Sequence, residues 1–526
     1  MPTDCISYSE TNYFSKLILD YLEKKEELSP FYHRFPEIGN FEAQIKEKQQ
    51  SFSSENRKVL VESLKKQYNG VEISDATLDH IEALSKDTTF TITTGHQLNL
   101  FTGPLYFLYK IISVINLTKI LKKKHPEYDF VPIYWMATED HDFAEINYFN
   151  LNGKKFQWNS TEKGAGIDAV GYLSTEGLKE VFELFSSEIG GGKDAEYLKF
   201  LFKNAYLKHS NLTEATRYLA NELFKEYGLV IMGAQQPELK KLFIPFAENE
   251  LLEQRSFKTT KENTEKLSNL GYNVQVNPRE INLFYLNNGY RERIIKRDGR
   301  FYVHEKQIEW TKEEIIAELH EQPQHFSPNV MMRPLFQEVI LPNLCYIGGG
   351  GELAYWLELK DYFEAENVPF PMLLLRNSAL LQTEKQKDLI DDATASKAAF
   401  IKEEPEMASL FEKAAGYVIF PNVGEGAYIL GGAAGNGVLF ENGRVVGFSE
   451  LRQVDIGLQI GGQAYRQAIL FQTESELAKF KEGNYKLSGK ASAVILKEGK
   501  AKSINFKEGR AIVTMPKAGA MVDISV

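Results

Sequence analysis

The chain has 526 residues and a mass of 60.0 kDa, which is too long for one ordinary domain. Hydrophobic residues make up 43% and charged residues 25%, which excludes disordered and collagenous classes. Two cysteines exclude a disulfide scaffold, and a net charge of −11 disfavours broad electrostatic binding of nucleic acid. The first residues, MPTDCISYSE, lack a signal-peptide pattern, and no apolar run approaches the ~20 residues that span a bilayer, so we expect a cytoplasmic protein.

The first part of the chain alternates predicted helices and strands. Apolar and charged residues at helical spacing predict amphipathic helices over 10–30 and 42–66. The strand-like run TTFTITTG then leads into a long helix over 105–125, and the next strand, FVPIYWMA, is apolar on both faces. Further strands are predicted at GLVIMG (228–233) and FPMLLLRN (370–377). This order predicts an α/β protein whose doubly wound parallel sheet carries helical and β insertions.

A glycine turn follows the first predicted strand, in the sequence TTGHQ. Ligands of open α/β sheets bind at such strand ends, where free helix amides can hold an anion. Gly95, His96 and Gln97 are therefore candidates for binding a phosphate or polarising a carbonyl group. The alternative is an ordinary glycine turn with two polar loop residues.

Four ionisable residues follow the second predicted strand. Like charges and desolvation both raise carboxylate pKa values, so this arrangement is costly unless the protein uses it. The group could hold a metal, orient an amine or supply acid–base catalysis. The alternative is a solvated helix N-terminus, where acidic residues are favoured. The candidate catalytic residues are Glu139, Asp140, His141 and Asp142, and Thr138 is a candidate binding residue.

A third candidate site is the glycine run CYIGGGGE, which begins at Cys345. Backbone amides of Gly349 and Gly350 could approach a ligand closely, and Glu352 could bind an amine or a ribose hydroxyl. Arg333, just upstream, is a cation suited to phosphate or carboxylate. The alternatives are a flexible turn for the glycines and a buried, inert thiol for Cys345. The chain has no Walker A, GxGxxG, GxSxG or paired CxxC pattern, and no metal is predicted.

The composition changes near residue 388. All nine histidines and all four tryptophans precede residue 391, whereas the last 136 residues hold 17 of the 38 glycines. From Asp391 onward 16 acidic and 16 basic residues cancel, so the preceding residues carry the whole net charge. We therefore predict two modules, 1–388 and 389–526. Short apolar strands and the hairpin signal ENGR (441–444) predict that the second module is antiparallel and rich in β-structure.

The first module resembles a known family over about residues 10–384. The resemblance is carried by TTGHQLNLFTGPLYFLYK, VPIYWMATEDHDFAEIN, MMRPLFQEVILPNLCYIGGGGELAYWLELK and FPMLLLRNS. These segments resemble the cysteine-adding enzymes of bacillithiol synthesis, the BshC family. The resemblance implies a Rossmann-like core and a ligase that adds L-cysteine to glucosaminyl-malate. Amide formation needs an activated carboxylate, so ATP or ADP is an expected cofactor.

The resemblance also suggests a role for each group of candidate residues. The four residues from Glu139 to Asp142 would position or deprotonate the cysteine amine. The opposite wall would be lined by Arg333, Gly349, Gly350 and Glu352, while the turn at Gly95 and the following helix would bind an anionic group.

Two features depart from the pattern of this family. Many members carry two glutamines where this chain has His96 and Gln97. Members also usually continue, after the strand that matches FPMLLLRNS, into a helical coiled-coil region that is absent here. A homodimer is possible, but the missing region argues against it.

The second module resembles the SYLF lipid-binding domain over about residues 391–526, in AAGYVIFPNV, GGAAGNGV, GLQIGGQ and MPKAGAMVDISV. The resemblance implies weak binding to lipid or a membrane surface, with Lys397, Lys402 and Lys413 as candidate contacts. A solvated helix face is the alternative for these lysines, and the zero net charge offers no extended basic patch. Three interpretations stay open: a cysteine ligase fused to a SYLF-like module, a truncated or artificial fusion with an inactive enzyme, and a lipid-binding scaffold.

Overall fold

The protein is described from a computed structural model. The described residues are 5–11, 13–160, 168–287, 289–304, 306–379, 383–426, 432–454, 464–481, 494–496, 504, 506 and 509–517. The chain divides into two compact units. Ser15–Ser378 forms the large unit, and Met1–Phe14 together with Ala379–Val526 forms the small unit.

The large unit contains a parallel sheet at its centre. Within its described residues, the strand order of this sheet is β12-β11-β1-β2-β5, and every neighbouring pair runs parallel. The strands of the large unit are β1 (Thr89–His96), β2 (Asp129–Met136), β3 (Tyr148–Leu151), β4 (Lys154–Gln157), β5 (Val230–Met232), β6 (Leu283–Asn287), β7 (Tyr290–Arg297), β8 (Arg300–Val303), β9 (Glu309–Trp310), β10 (Phe326–Pro328), β11 (Asn343–Gly348) and β12 (Met372–Leu375).

The predicted strands β1, β2, β5 and β12 are confirmed, and so is a Rossmann-like parallel sheet. Every residue of β1 but the last is buried, and every residue of β2 but the first. Burial on both faces explains why these strands are continuous runs of apolar and β-branched residues. Strands β1 and β2 pair in register, so that Gly95 lies opposite Trp135 and His96 opposite Met136.

Helices cover the sheet. One core cluster packs Phe41 and Ile45 of α2 and Val114 of α5 against Phe90 and Ile92 of β1. The helices of the large unit are α1 (Lys16–Leu22), α2 (Phe41–Ser51), α3 (Ser54–Gln67), α4 (Asp75–Ala83), α5 (Tyr106–Lys124), α6 (Phe143–Ile146), α7 (Leu178–Ile189), α8 (Lys193–Tyr206), α9 (Leu212–Phe224), α10 (Pro237–Lys241), α11 (Ile244–Glu253), α12 (Arg255–Asn269), α13 (Lys312–Glu321), α14 (Arg333–Ile340), α15 (Gly350–Leu357) and α16 (Lys360–Ala365).

The helix predicted over 105–125 is confirmed as α5, but the two N-terminal predictions were partly wrong. The stretch 42–66 forms two helices, because the Ser53 hydroxyl accepts a hydrogen bond from the Asn56 amide at 3.1 Å and starts α3 anew. The stretch 10–30 is α-helical only over α1. Lys24 has a left-handed φ of 56° just beyond it, which ends the helix.

A second sheet of the large unit is antiparallel. Its strand order is β10-β6-β7-β8-β9, and the two-stranded β3-β4 hairpin is separate from it. The apolar segment NLFYL (282–286) contributes most of β6. Residues of β6 and β7 form one side of the cavity described below.

The small unit is rich in antiparallel strands, as predicted. Its described sheet has the order β15-β14-β13-β16-β18-β17, in which only β17 and β18 pair in parallel. Its elements are α17 (Glu384–Glu403), α18 (Glu406–Lys413), β13 (Gly416–Gly426), β14 (Gly432–Glu441), β15 (Arg444–Val454), β16 (Ala464–Phe471), α19 (Glu474–Lys481), β17 (Val494–Ile495) and β18 (Arg510–Pro516).

The hairpin predicted at ENGR is confirmed. Asn442 and Gly443 connect β14 to β15 with positive φ values of 49° and 76°, as a type I′ turn requires. The motif GLQIGGQ (457–463) and residues 518–526 of the terminal motif lie outside the described residues. Across the described residues, we find no helix that combines the length and the apolar character needed to cross a bilayer.

The boundary between the units differs from the predicted seam near residue 388. That position lies inside α17, and the contacts divide the chain between Ser378 and Ala379. Ala393 and Phe400 of α17 are fully buried in a core with Tyr417 and Ile419 of β13. This apolar packing assigns the whole helix to the small unit, although its polar composition resembles a linker.

Candidate functional site

A cavity of about 640 Å³ lies in the large unit at the carboxyl ends of β1, β2 and β11. Parallel strands place their carboxyl ends at one edge of a sheet, which is where open α/β sheets bind ligands. The cavity brings together most of the residues singled out from the sequence. Those that line it are Gly95, His96, Gln97, Thr138, Glu139, Asp140, His141, Arg333 and Glu352.

Three predicted residues do not line the cavity. The Asp142 carboxylate accepts a hydrogen bond from the Glu145 amide at 3.4 Å and caps α6, so it has the structural role considered as the alternative. The Gly349 amide donates to the Glu352 carboxylate at 2.8 Å, and Gly350 begins α15. The two glycines therefore start a helix, and the structure does not place them against a ligand in the cavity.

Asp140 is the centre of a hydrogen-bonded group on one side of the cavity. Gln97 donates from Nε2 to Asp140 at 2.8 Å and to Glu145 at 3.0 Å, and the His141 amide donates to Asp140 at 2.8 Å. Burial alone would raise the pKa of Asp140, but the hydrogen bonds from His141 and Gln97 outweigh it and lower the pKa well below its usual range. Asp140 is therefore ionised. His141 Nδ1 lies 3.6 Å from Asp140 Oδ1, and the charge of Arg291 also lowers the pKa of Asp140.

Glu139 has a different environment from its neighbour Asp140. Its carboxylate pairs with the buried ammonium of Lys240 at 2.8 Å and accepts a hydrogen bond from the Ser327 hydroxyl at 2.7 Å. Lys240 also donates to the carbonyl of Phe326 at 3.1 Å. Glu139, just after β2, thus connects the end of this strand to β10, and its charge is compensated by Lys240.

His141 is half exposed and faces Arg291 of β7. The guanidinium of Arg291 lies over the ring of Phe284 at 4.0 Å and within 3.3 Å of His141 Nδ1. The same Nδ1 lies 3.6 Å from Asp140 Oδ1, so the ring can accept from Arg291 or donate to Asp140 according to its tautomer. Arg291 also donates to Ser327 Oγ at 3.1 Å, which holds it against the cavity wall.

Glu352 lies on the other side of the cavity and is surrounded by donors. Its carboxylate accepts from Lys110 Nζ at 2.6 Å, from the Tyr346 hydroxyl at 2.7 Å and from the Gly349 amide. Burial would raise the pKa of Glu352, but Lys110 and the Gly349 amide lower it overall. Lys110 also donates to the Gly95 carbonyl, so it ties α5 to the glycine turn at the end of β1.

His96 is a neutral residue at the edge of the cavity. Burial, together with the nearby charge of Lys110, lowers the pKa of His96 to about 3. Its ring packs against Tyr106 and Phe107, and its Nε2 has no hydrogen-bond partner among the described residues. His96 can therefore offer a hydrogen bond to a ligand but not a positive charge.

Arg333 supplies a cation that no described carboxylate pairs with directly. Its guanidinium donates to Gln337 Oε1 at 3.1 Å and lies between the rings of Trp135 and Tyr346. It also lies beside Gly95, where a Cβ atom would come within 3.7 Å of Arg333 Nη1 and 3.2 Å of the Tyr346 hydroxyl. The glycine at 95 thus lets the strand end approach Arg333 closely.

The described residues contain no group of three or more His, Cys, Asp or Glu side chains arranged to hold a metal ion. Cys345 is fully buried in β11, and burial raises the pKa of its thiol well above the usual range. It does not line the cavity.

Comparison with known proteins identifies the family. The family model described as "Bacillithiol biosynthesis BshC, N-terminal Rossmann-like domain" matches residues 1–377. The chain belongs to the BshC family. The matched region ends next to the boundary at Ser378, so it covers the large unit and the N-terminal residues.

Three relatives share between 42% and 67% of the aligned residues with this chain. A protein of Christiangramia forsetii named "Putative cysteine ligase BshC" is 67% identical over 388 residues, which are 74% of this chain and 72% of that protein. A protein of the same name from Flavobacterium johnsoniae is 57% identical over 420 residues, 80% of this chain and 78% of that protein. Another from Cytophaga hutchinsonii is 42% identical over 381 residues, 72% of this chain and 70% of that protein.

Sequence reasoning missed several polar residues that shape the site. Lys110 had an available signal, because it is a lysine within the otherwise apolar run of α5. Glu145 follows the acidic motif after β2 and could have been grouped with it. Lys240 and Arg291 are distant from the motifs in the chain. Helix α10 brings Lys240 to Glu139, and β7 brings Arg291 to the cavity.

Proposed function

We propose that the large unit is a cysteine ligase that adds L-cysteine to glucosaminyl-malate in bacillithiol biosynthesis. Membership of the BshC family supports the reaction class. The observation that carries the proposal for this site is a cavity with an ionised carboxylate, Asp140, on one side and the cation Arg333 on another. Such a cavity suits substrates that carry both ammonium and carboxylate groups.

The group around Asp140 is proposed to bind an ammonium ion. Both substrates carry an amine, and Asp140 and Glu145 both accept hydrogen bonds from Gln97, while no described lysine or arginine forms an ion pair with either carboxylate. A substrate ammonium would supply that missing positive charge, and charge-assisted hydrogen bonds are the stronger kind. The low pKa of Asp140 makes it a poor proton acceptor, so we assign it to positioning the amine rather than deprotonating it.

ATP is proposed as the activating co-substrate. It supplies, when bound, a phosphoryl or adenylyl group that turns a carboxylate into an acyl donor. Arg333 is the residue proposed to hold its phosphates, since its guanidinium faces the cavity and lies next to the glycine turn of β1. His96, neutral and with a free Nε2, would donate or accept one hydrogen bond at the same end.

Incubation with L-cysteine, glucosaminyl-malate and ATP, ADP or no nucleotide tests the proposal, with the new thiol detected by mass spectrometry. We expect product that requires a nucleotide, and we expect Asp140→Ala and His141→Ala to abolish it without unfolding the protein. Asp79→Ala, which removes an exposed carboxylate on α4, is the matched control and should behave as the unmodified protein. Normal turnover in both cavity variants would contradict the assignment of the site, and absence of product from the folded protein would contradict the function.

We propose a lipid-binding role for the small unit on the resemblance of its sequence alone. One of its candidate contacts is already engaged, because Lys397 Nζ donates to the Tyr417 hydroxyl at 2.7 Å and lies over that ring. Lys402 and Lys413 are exposed on α17 and α18. Co-sedimentation with phosphoinositide vesicles should fall when both are changed to Gln, and sedimentation that is equal for the two proteins would contradict their role.

A further inference from the structure

One wall of the cavity carries three arginines. Arg279 precedes β6, and Arg291 and Arg293 lie two residues apart on β7, so their side chains leave the strand on the same face. Phe284, which pairs with Arg293 across β6 and β7, lines the cavity between them. This wall belongs to the antiparallel sheet and faces the strand ends of the parallel sheet.

The three guanidinium groups differ in what they contact. Arg291 is buried, contacts Ser327 and His141 as described above, and lies near the charges of Glu139 and Asp140. Arg293 is half-buried and Arg279 is exposed, and within the described part of the chain neither forms an ion pair. In contrast, Arg255 and Arg300 elsewhere in the unit each pair with a glutamate. Two arginines without a carboxylate partner therefore border the same cavity.

The backbone that carries Arg279 is held in place. The Arg279 amide donates to Asn282 Oδ1 at 3.1 Å, and the Gln275 amide donates to the buried carboxylate of Glu358 at 2.6 Å. Val276 and Asn277, between these anchors, line the cavity as well. A fixed backbone lowers the conformational entropy lost when a ligand binds to this wall.

We propose that Arg279 and Arg293 form a subsite for a dicarboxylate, the malate part of glucosaminyl-malate. The inference rests on the proposed function, and it adds that the arginine wall of the cavity binds the malate end of the substrate. A guanidinium binds a carboxylate through two parallel hydrogen bonds, and two arginines match two carboxylates. The malate part would lie against this wall, which leaves the amine of the same molecule to face Asp140 across the cavity.

Kinetics of Arg279→Gln, Arg293→Gln and the double variant test the subsite. Each single change should raise the KM for glucosaminyl-malate about 10- to 100-fold, since each removes a charge-assisted contact. The KM values for cysteine and ATP should stay within about twofold. Arg297→Gln, an exposed arginine of the same strand outside the cavity, is the matched control for the loss of one charge. An increased KM for ATP instead would assign the wall to nucleotide phosphate and overturn the proposal.

Substrate changes give a second measurement that does not depend on the variants. The unmodified protein should bind the dimethyl ester of glucosaminyl-malate more than tenfold more weakly than the free acid, and the double variant should bind the two equally. Calorimetry measures this binding without turnover. Binding that depends on the arginines in a protein that forms no thiol product would reject the proposed ligase function and keep the subsite. Product formation with equal binding of acid and ester would keep the function and reject the subsite.

Discussion

Two carboxylates at the edge of the parallel sheet, Asp140 and Glu352, have opposite surroundings. Glu352 accepts hydrogen bonds from a lysine, a tyrosine hydroxyl and a backbone amide, so its charge is compensated within the protein. Asp140 accepts hydrogen bonds from the side-chain amide of Gln97 and the backbone amide of His141, and no described lysine or arginine forms an ion pair with it; its nearest basic group is the His141 ring, at 3.6 Å. Both are ionised, but Asp140, unlike Glu352, has no lysine ion pair among the described residues and can pair with the cation of a ligand. The number and charge of the donors, rather than position at a strand end, separates a structural carboxylate from a binding one.

The largest expected effect is on stability, from Lys110→Met. The change leaves the Glu352 carboxylate without its cation, and breaking a buried ion pair in this way costs about 4 kcal/mol in the free energy of unfolding. Urea unfolding followed by tryptophan fluorescence reports on the large unit, because all four tryptophans lie in it. The double change with Glu352→Gln should recover most of the loss. A single variant as stable as the unmodified protein would show that Glu352 is not compensated by Lys110.

A third carboxylate, Glu358, extends the comparison to the pH dependence of stability. Burial raises its pKa to about 7, although the amides of Gln275 and Val276 donate to it. The folded pKa lies above the unfolded value near 4.5, so the folded state holds the proton more tightly. Its contribution to stability is therefore complete below pH 4.5 and is lost as the pH rises through 7, by about 3 kcal/mol. Glu358→Gln should reduce this dependence without abolishing it, because burial also raises the pKa values of Glu250, Glu338 and Glu366, and unfolding curves at intervals across that range measure the change. The same slope in both proteins would contradict the assignment.

Asp140→Asn tests the binding side of the comparison. Loss of the carboxylate charge should raise the KM for an amine substrate by an amount equivalent to about 2 kcal/mol, with little effect on stability, because no described lysine or arginine forms an ion pair with Asp140 that the change would break. Glu352→Gln should show the reverse pattern, with lower stability. If both variants lose stability and keep their KM values, the two carboxylates have the same structural role.

The smallest expected effect concerns His96. His96→Gln keeps a side chain that can form one hydrogen bond, so activity should fall less than threefold, whereas His96→Leu should lose about 1 kcal/mol of binding or transition-state stabilisation. Because the pKa of His96 is about 3, neither change should alter the pH profile of activity between pH 5 and 8. A lost inflection near pH 6 in either variant would show that His96 titrates in the working range.

Local sequence patterns were sufficient to predict much of the fold. The buried runs of β1 and β2, the helix α5 and the Asn442-Gly443 turn each follow from period, burial or a required positive φ. We predicted the boundary between the units later in the chain than the structure places it, because α17 has the composition of a polar linker. In the structure, Ala393 and Phe400 of this helix pack on β13. The helix predicted over 10–30 was too long, because the spacing of hydrophobic residues does not reveal the left-handed conformation of Lys24.

The sequence by itself determined where polar groups follow buried strands, and therefore that Gln97, Asp140 and Arg333 could meet at one edge of a parallel sheet. Only the tertiary structure decided what each of them does. Lys240 reaches Glu139 from α10 and Lys110 reaches Glu352 from α5, and these pairings compensate two of the carboxylates, whereas no described lysine or arginine forms an ion pair with Asp140. The physical reason is that a pKa and an available charge depend on burial and on donors within about 4 Å, which are set by packing between distant segments.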